Sequence, residues 1–225
     1  TQYTRAVLGL PTGFLFSTAM DFHSVAKRKN PFDVVAAYSA AFGPTDGAHL
    51  LVKSINGSSQ VAEMERLRAM TDLRPDITVV DAHWSHHQVQ GMIELSDCFV
   101  SLHRSEGFGL NMASAMAATR PVIATGYSGN MDFMNTDTAF IVPYELVEVG
   151  TGAAPYSSTA VWAQPDVTAA AGMMRTVFDD PAAAAAVASR GRDHVLDAQS
   201  VARAAAAIRS ALLPDQFPAN MEVSA

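Results

Sequence analysis

At 225 residues, 49% hydrophobic and with a mean hydropathy of +0.11, the chain can bury a large core and is too apolar to be a disordered tail. Its formal net charge of −7 removes the positive field that nonspecific nucleic-acid binding requires, yet leaves room for a local basic cluster that takes phosphate. The only cysteine, Cys98, cannot pair within the chain, and no charged leader or apolar run of about 18 residues is visible. A reduced, cytoplasmic setting is expected, with peripheral association at the inner membrane face left to other regions.

The elements follow in chain order. Residues 13–18 (GFLFST) read as a first strand, and Pro31 starts a helix with Asn30 as N-cap and Val34, Val35, Tyr38 and Phe42 on one face. Residues 48–55 form a second strand ended by Asn56-Gly57, and residues 59–71 an amphipathic helix. A short strand at 77–80 and a helix at 88–95 come next. Strands at 98–102 and 122–125 flank a helix at 110–118, and 140–142 closes the series. The Gly-, Ser- and Pro-rich stretch 149–165 reads as a long surface loop, followed by alanine-rich helices at 166–179, 181–196 and 200–213 and an irregular tail.

Almost wholly apolar strands separated by helices predict an α/β fold, a doubly wound, Rossmann-like parallel sheet covered on both faces. Ligands of such sheets bind beyond the carboxyl ends of the strands, which is where the polar clusters fall. The most distinctive cluster is Ser101-Leu102-His103-Arg104-Ser105-Glu106-Gly107-Phe108-Gly109-Leu110, a strand running through a carboxylate and two glycines into a helix. Glycines let ligand atoms approach the backbone, and a helix start offers unpaired N–H groups. A carboxylate beside such a cradle suits a ligand with both hydroxyls and phosphates. The bland alternative is Glu106 as a helix cap.

A second cluster is Lys27-Arg28-Lys29, which holds two of the three lysines in the chain and sits in the loop before the Asn30-Pro31 helix start. It reads as a diphosphate clamp or as a solvated basic turn. Gly126-Tyr127-Ser128-Gly129-Asn130 after the 122–125 strand is a turn whose backbone can approach a ligand. His83, His86 and His87 around Trp84 lack the carboxylate or cysteine spacing of a metal site and are expected to line a nucleotide-base pocket. His103 either orients Glu106 or is a satisfied buried histidine, and Ser105 stands exposed at a strand end without a Ser–His–Asp arrangement.

The strings SLHRSEGFGL, AMA, RPVIATGYSGNMDF and FIVPYEL, with DFHSVAKRKNP upstream, resemble the C-terminal half of retaining GT-B glycosyltransferases, family 4 (glycosyl transferases group 1), of the bacterial surface-glycan type. The likeness extends over most of residues 14–180. It implies a nucleotide-sugar-binding domain over residues 1–213, a tail at 214–225, and an acceptor-binding N-terminal domain outside this chain. The implied activity is transfer of a sugar from a nucleotide sugar to a glycan or other acceptor, with retention and without a metal or other cofactor. No nucleic-acid partner and no transmembrane segment are implied.

By the same resemblance, Glu106 is the first carboxylate of a paired-glutamate pattern beside the donor sugar. Lys29 is the best match to the basic residue facing the diphosphate, with Arg28 second. Gly107, Phe108, Gly109, Leu110, Gly129 and Asn130 would bind donor. Two departures stand out: the Gly-Arg pair that usually precedes the lysine is missing, and the second glutamate, eight positions after Glu106, is Ser114. Serine is shorter and neutral, so Ser114 implies a weakened or retuned ribose contact. Two other readings stay open, a GT-B nucleotide-sugar epimerase and a non-catalytic binding module.

Overall fold

Strands that are apolar on both faces are stable only inside a sheet covered on both sides, and the computed structural model, which describes residues 2–212, has that arrangement. Six parallel strands run in the order β3-β2-β1-β4-β5-β6: β1 Phe14–Asp21, β2 Ala48–Ile55, β3 Ile77–Asp81, β4 Cys98–Ser101, β5 Val122–Thr125 and β6 Phe140–Val142. Alternate side chains feed two separate cores. Phe16, Leu50, Val52, Cys98, Val100 and Ile123 face one layer, and Leu15, Leu51, Phe99, Val122 and Ala124 the other. Burying each of the Val, Leu, Ile and Phe side chains among them stabilises by about 1.5–3 kcal/mol. The strand middles therefore hold the fold, and their carboxyl ends are free to be polar.

The first layer is completed by α2 (Pro31–Ala41), α3 (Val61–Thr71) and α6 (Val167–Asp179). The second is completed by α4 (His86–Leu95), α5 (Leu110–Ala117) and α7 (Pro181–Ala198), with α5 packed on α7. A last helix, α8, spans Val201–Leu212 and buries none of its residues among the described part of the chain. The expected tail from Pro214 lies outside the described residues. Among the described residues, no helix is long and apolar enough to cross a membrane.

Three local expectations are corrected. The basic run is not a loop: Ala26–Lys29 forms one helical turn, α1, following Val25 at φ 63°. Asn30 does stand at the start of α2, but in the left-handed region (φ 56°) and without a capping bond. Its amide donates instead to Asp33 Oδ2 (2.7 Å) and to the Leu102 carbonyl (2.8 Å), tying the α1–α2 junction to the end of β4. Finally, residues 149–165 are not all loop. Val161–Pro165 is a strand, β8, paired antiparallel with β7 (Tyr144–Glu148). The Trp162 side of this hairpin packs with Val147, Val149 and Ala153 against Val25.

Candidate functional site

The chain builds β1, β2 and β3 outward and then returns to place β4 on the other side of β1, so the strand order reverses between β1 and β4. Loops diverge at such a reversal and leave a crevice at the carboxyl ends. A cavity of about 330 Å³ opens there, lined by Ala19 of β1, Phe99 and Ser101 of β4, and Lys29, Glu106 and Phe108 to Met112. Gly109, at φ 95°, makes the turn into α5. The amides of Leu110 and Asn111 open that helix at the cavity rim, with no carbonyl one turn back to accept from them.

Glu106 is the electrostatic centre. Its side chain is 10% exposed and meets two cations: Lys29 Nζ donates to Oε1, and Arg28 Nη1 donates to Oε2 at 3.2 Å. Burial pushes the carboxyl upward, but the Lys29 charge and hydrogen bond, with Arg28 behind them, outweigh it and hold Glu106 below its ordinary value. The carboxylate is therefore ionised at neutral pH. Arg28 is heavily committed, since its Nε donates to the Ser24 carbonyl (3.2 Å) and Nη1 also to the Ser105 carbonyl (2.7 Å). Lys29 retains donors beyond its bond to Glu106 and lines the cavity. Lys27 turns away and donates to the Thr151 carbonyl at 2.9 Å.

Behind the carboxylate, His103 is fully buried. Its Nε2 faces two acceptors, the Tyr127 carbonyl (3.1 Å) and Asn130 Oδ1 (3.0 Å), so the ring proton sits on Nε2 and Nδ1 accepts from Ser101 Oγ at 3.0 Å. Burial keeps this imidazole neutral, against the opposing pull of the Tyr127 carbonyl and Glu106. Asn130 donates in turn to the Thr125 carbonyl at 3.0 Å and is fully buried. Its polar atoms are thus spent on the fold, and it supports the turn instead of facing the cavity.

The expected residues therefore separate. Lys29, Glu106, Phe108, Gly109 and Leu110 line one cavity, with Arg28 fastened to Glu106 from behind. Phe108 also packs against Phe133 in a tilted ring contact, with centroids 4.9 Å apart and planes at 43°, which anchors the turn. Gly107 and Gly129 are not in the lining but meet each other: a Cβ on Gly129 would lie 2.0 Å from the Gly107 carbonyl oxygen. Ser114 is one turn further along α5 than Leu110, outside the lining. The histidines of the β3–α4 loop do not reach this cavity. His86 and His87 open α4 after the Ser85 capping box, and Trp84 lies 5.2 Å from Lys53 Nζ.

Ala19, Phe99, Ser101, Asn111 and Met112 also line the cavity, and none of them was assigned a site role from the sequence, although Ser101 opens the distinctive run there. The signal that could have found the first three is the alternation of β1 and β4 carried to their carboxyl ends. Among the described residues no group of three or more His, Cys, Asp or Glu side chains is placed to hold a metal ion.

Residues 22–148 match the family described as Glycosyl transferases group 1, more than half of the chain. No curated protein sequence matches it. Among solved structures, HepE of Anabaena, determined with UDP and glucose, superposes with a TM-score of 0.68 at 15% identity, over 92% of this chain and 50% of its own. Sucrose-phosphate synthase of Thermosynechococcus elongatus gives 0.64 at 21% identity, over 92% and 48%. The C-terminal domain of the group 1 glycosyl transferase LpcC of Francisella tularensis gives 0.60 at 17% identity, over 83% and 86%. The chain thus spans about half the length of HepE and of the synthase, and it shares their fold.

Proposed function

The chain belongs to the glycosyl transferases group 1 family, and on that premise we propose that it is the nucleotide-sugar-binding half of a GT-B glycosyltransferase. The observation that carries this reading is one cavity, at the reversal point of the sheet, holding an ionised Glu106, the Lys29 ammonium and the open start of α5. A nucleotide sugar presents matching groups, hydroxyls for the carboxylate and a diphosphate for the cation and the free amides. HepE, solved with UDP-glucose on the same fold, supports a nucleoside diphosphate sugar as the ligand class.

The chemistry proposed is front-face transfer with retention. The bond from the anomeric carbon to the β-phosphate oxygen breaks, an acceptor hydroxyl oxygen bonds to the same face, and its proton passes to a phosphate oxygen. Lys29 offsets the charge growing on the departing diphosphate, and Glu106 holds the sugar where positive charge develops. Arg28, bonded to Ser24, Ser105 and Glu106, keeps the carboxylate in place. Lys29 takes the electrostatic part that a metal plays in other transferases, and no metal cofactor is part of the proposal. The glycan or other acceptor belongs, on this reading, to a second domain like the other half of the relatives.

Ser114 favours a second reading, a module that binds a nucleotide without turning it over, because the usual carboxylate for the ribose hydroxyls is replaced by a weaker acceptor. Calorimetric titration against UDP-, GDP-, ADP- and TDP-sugars tests both. Binding of at least one is expected, and a folded chain silent across the panel overturns them. Sugar transfer once an acceptor domain is joined to the chain distinguishes the first reading from the second.

A further inference from the structure

Ser128 has φ 74° and ψ −152°, a backbone conformation that glycine adopts freely and residues with a Cβ avoid. Fold stability alone favours glycine here, as steric clash demands it at the next position, Gly129. The hydroxyl that the chain carries instead has a specific partner: Ser128 Oγ accepts the Glu106 N–H at 2.8 Å. Gly129 N–H donates to the Glu106 carbonyl at 3.1 Å. Both backbone polar groups of the site carboxylate thus end on two consecutive residues of the turn after β5.

That turn has its own footing. The Tyr127 carbonyl receives the Ser128 hydroxyl and His103 Nε2, and Asn130 bridges His103 to the Thr125 carbonyl. A rigid platform therefore meets the Glu106 peptide from one side while Arg28 and Lys29 meet its carboxylate from the other.

We propose that Ser128 is a positioning residue, holding a strained conformer so that its hydroxyl fixes the Glu106 peptide where the carboxylate meets Lys29 and Arg28 together. Its consequence for ligand binding rests on the functional reading above, but the placement of Glu106 does not. Without the hydroxyl, the peptide N–H turns to water and the carboxylate loses register with at least one cation.

The test is carbon-detected NMR titration of the Glu106 carboxyl in the 225-residue chain, with its resonance assigned by its disappearance in Glu106→Gln. In Ser128→Gly and Ser128→Ala the Glu106 midpoint is expected to rise by about half a pH unit or more, because contact with a cation weakens. Melting temperature should separate the two variants that share this rise: Ser128→Gly, freed of strain, melts above Ser128→Ala. Ser128→Thr keeps the hydroxyl and should keep the parent midpoint even where its branched side chain lowers the melting temperature. Midpoints equal to the parent in both hydroxyl-free variants overturn the proposal. This readout needs no nucleotide, so failure of the donor panel and failure of the Ser128 role are separate results.

Discussion

A carboxylate that is 10% exposed and bonded to two cations carries more meaning than its charge count. Arg28, Lys29 and Glu106 together leave one net positive charge, in a chain whose formal total is −7. Anionic ligands repelled by most of the surface meet a local attractive spot at the cavity. Replacing Lys29 by alanine tests this at the residue scale. Calorimetry on whichever nucleotide sugar binds the parent should show affinity lowered by about 10- to 150-fold, the worth of a charged hydrogen bond. The Glu106 carboxyl should titrate higher as its strongest charge partner goes. Unchanged affinity would remove Lys29 from the binding site. The identity of Glu106 and Lys29 was legible in the sequence from a strand–glycine–helix string and a rare pair of lysines. Their contact was not, because 77 residues separate them and only the adjacency of β1 and β4 closes that distance.

At the scale of elements, the buried strands were the easiest to read. The bounds of β2, β5 and β6 coincide with the expected strands 48–55, 122–125 and 140–142, since a strand buried on both faces is mostly apolar, although β2 also buries Lys53 and Ser54 near its carboxyl end. The β7–β8 hairpin was not legible, because β8 sits at the end of a Gly- and Ser-rich stretch and gains its structure from pairing with β7 and from Trp162 packing beside Arg104. Helix–helix approach was equally silent. Gly191, inside α7, is one of the places where the helix rests directly on backbone: an added Cβ would stand 2.5 Å from the Thr138 carbonyl oxygen. Gly191→Ala, which raises helix propensity, is therefore expected to destabilise by about 1–3 kcal/mol through overpacking. A urea unfolding curve with an unshifted or raised midpoint would show that the contact yields at no cost.

For the whole molecule, three buried or paired groups set the response to acid. His103 lies below its ordinary 6.5 because burial disfavours its charged form. Glu106 lies below 4.5 and Asp76 below 3.8, where burial raises each carboxyl but cationic and hydrogen-bond partners outweigh it. For Asp76 those partners are Arg74 and Tyr38. In each case the unfolded chain binds its proton before the folded one does. The stability these three groups contribute is therefore full above pH 6.5, declines as His103 protonates in the unfolded state, and falls further below 4.5. Denaturant unfolding at a series of pH values should show this two-stage loss. Replacing His103 by glutamine should flatten the first stage and leave the second; an unaltered slope between 6.5 and 4.5 would take His103 out of the account.

By itself the sequence determined the class of fold and the chemistry available at the strand ends. Apolar run length, helix periodicity and glycine placement are local properties that each segment carries with it. Which polar ends share a cavity depends on strand order, and strand order is settled by how two hydrophobic layers close over one sheet. Only the tertiary structure therefore joined Lys29 and Arg28 to Glu106, withdrew Asn130 into the support of His103, and left Ser114 outside the cavity lining. The physical reason is the same in each case: contacts across many residues are decided by packing, whose energy no single segment contains.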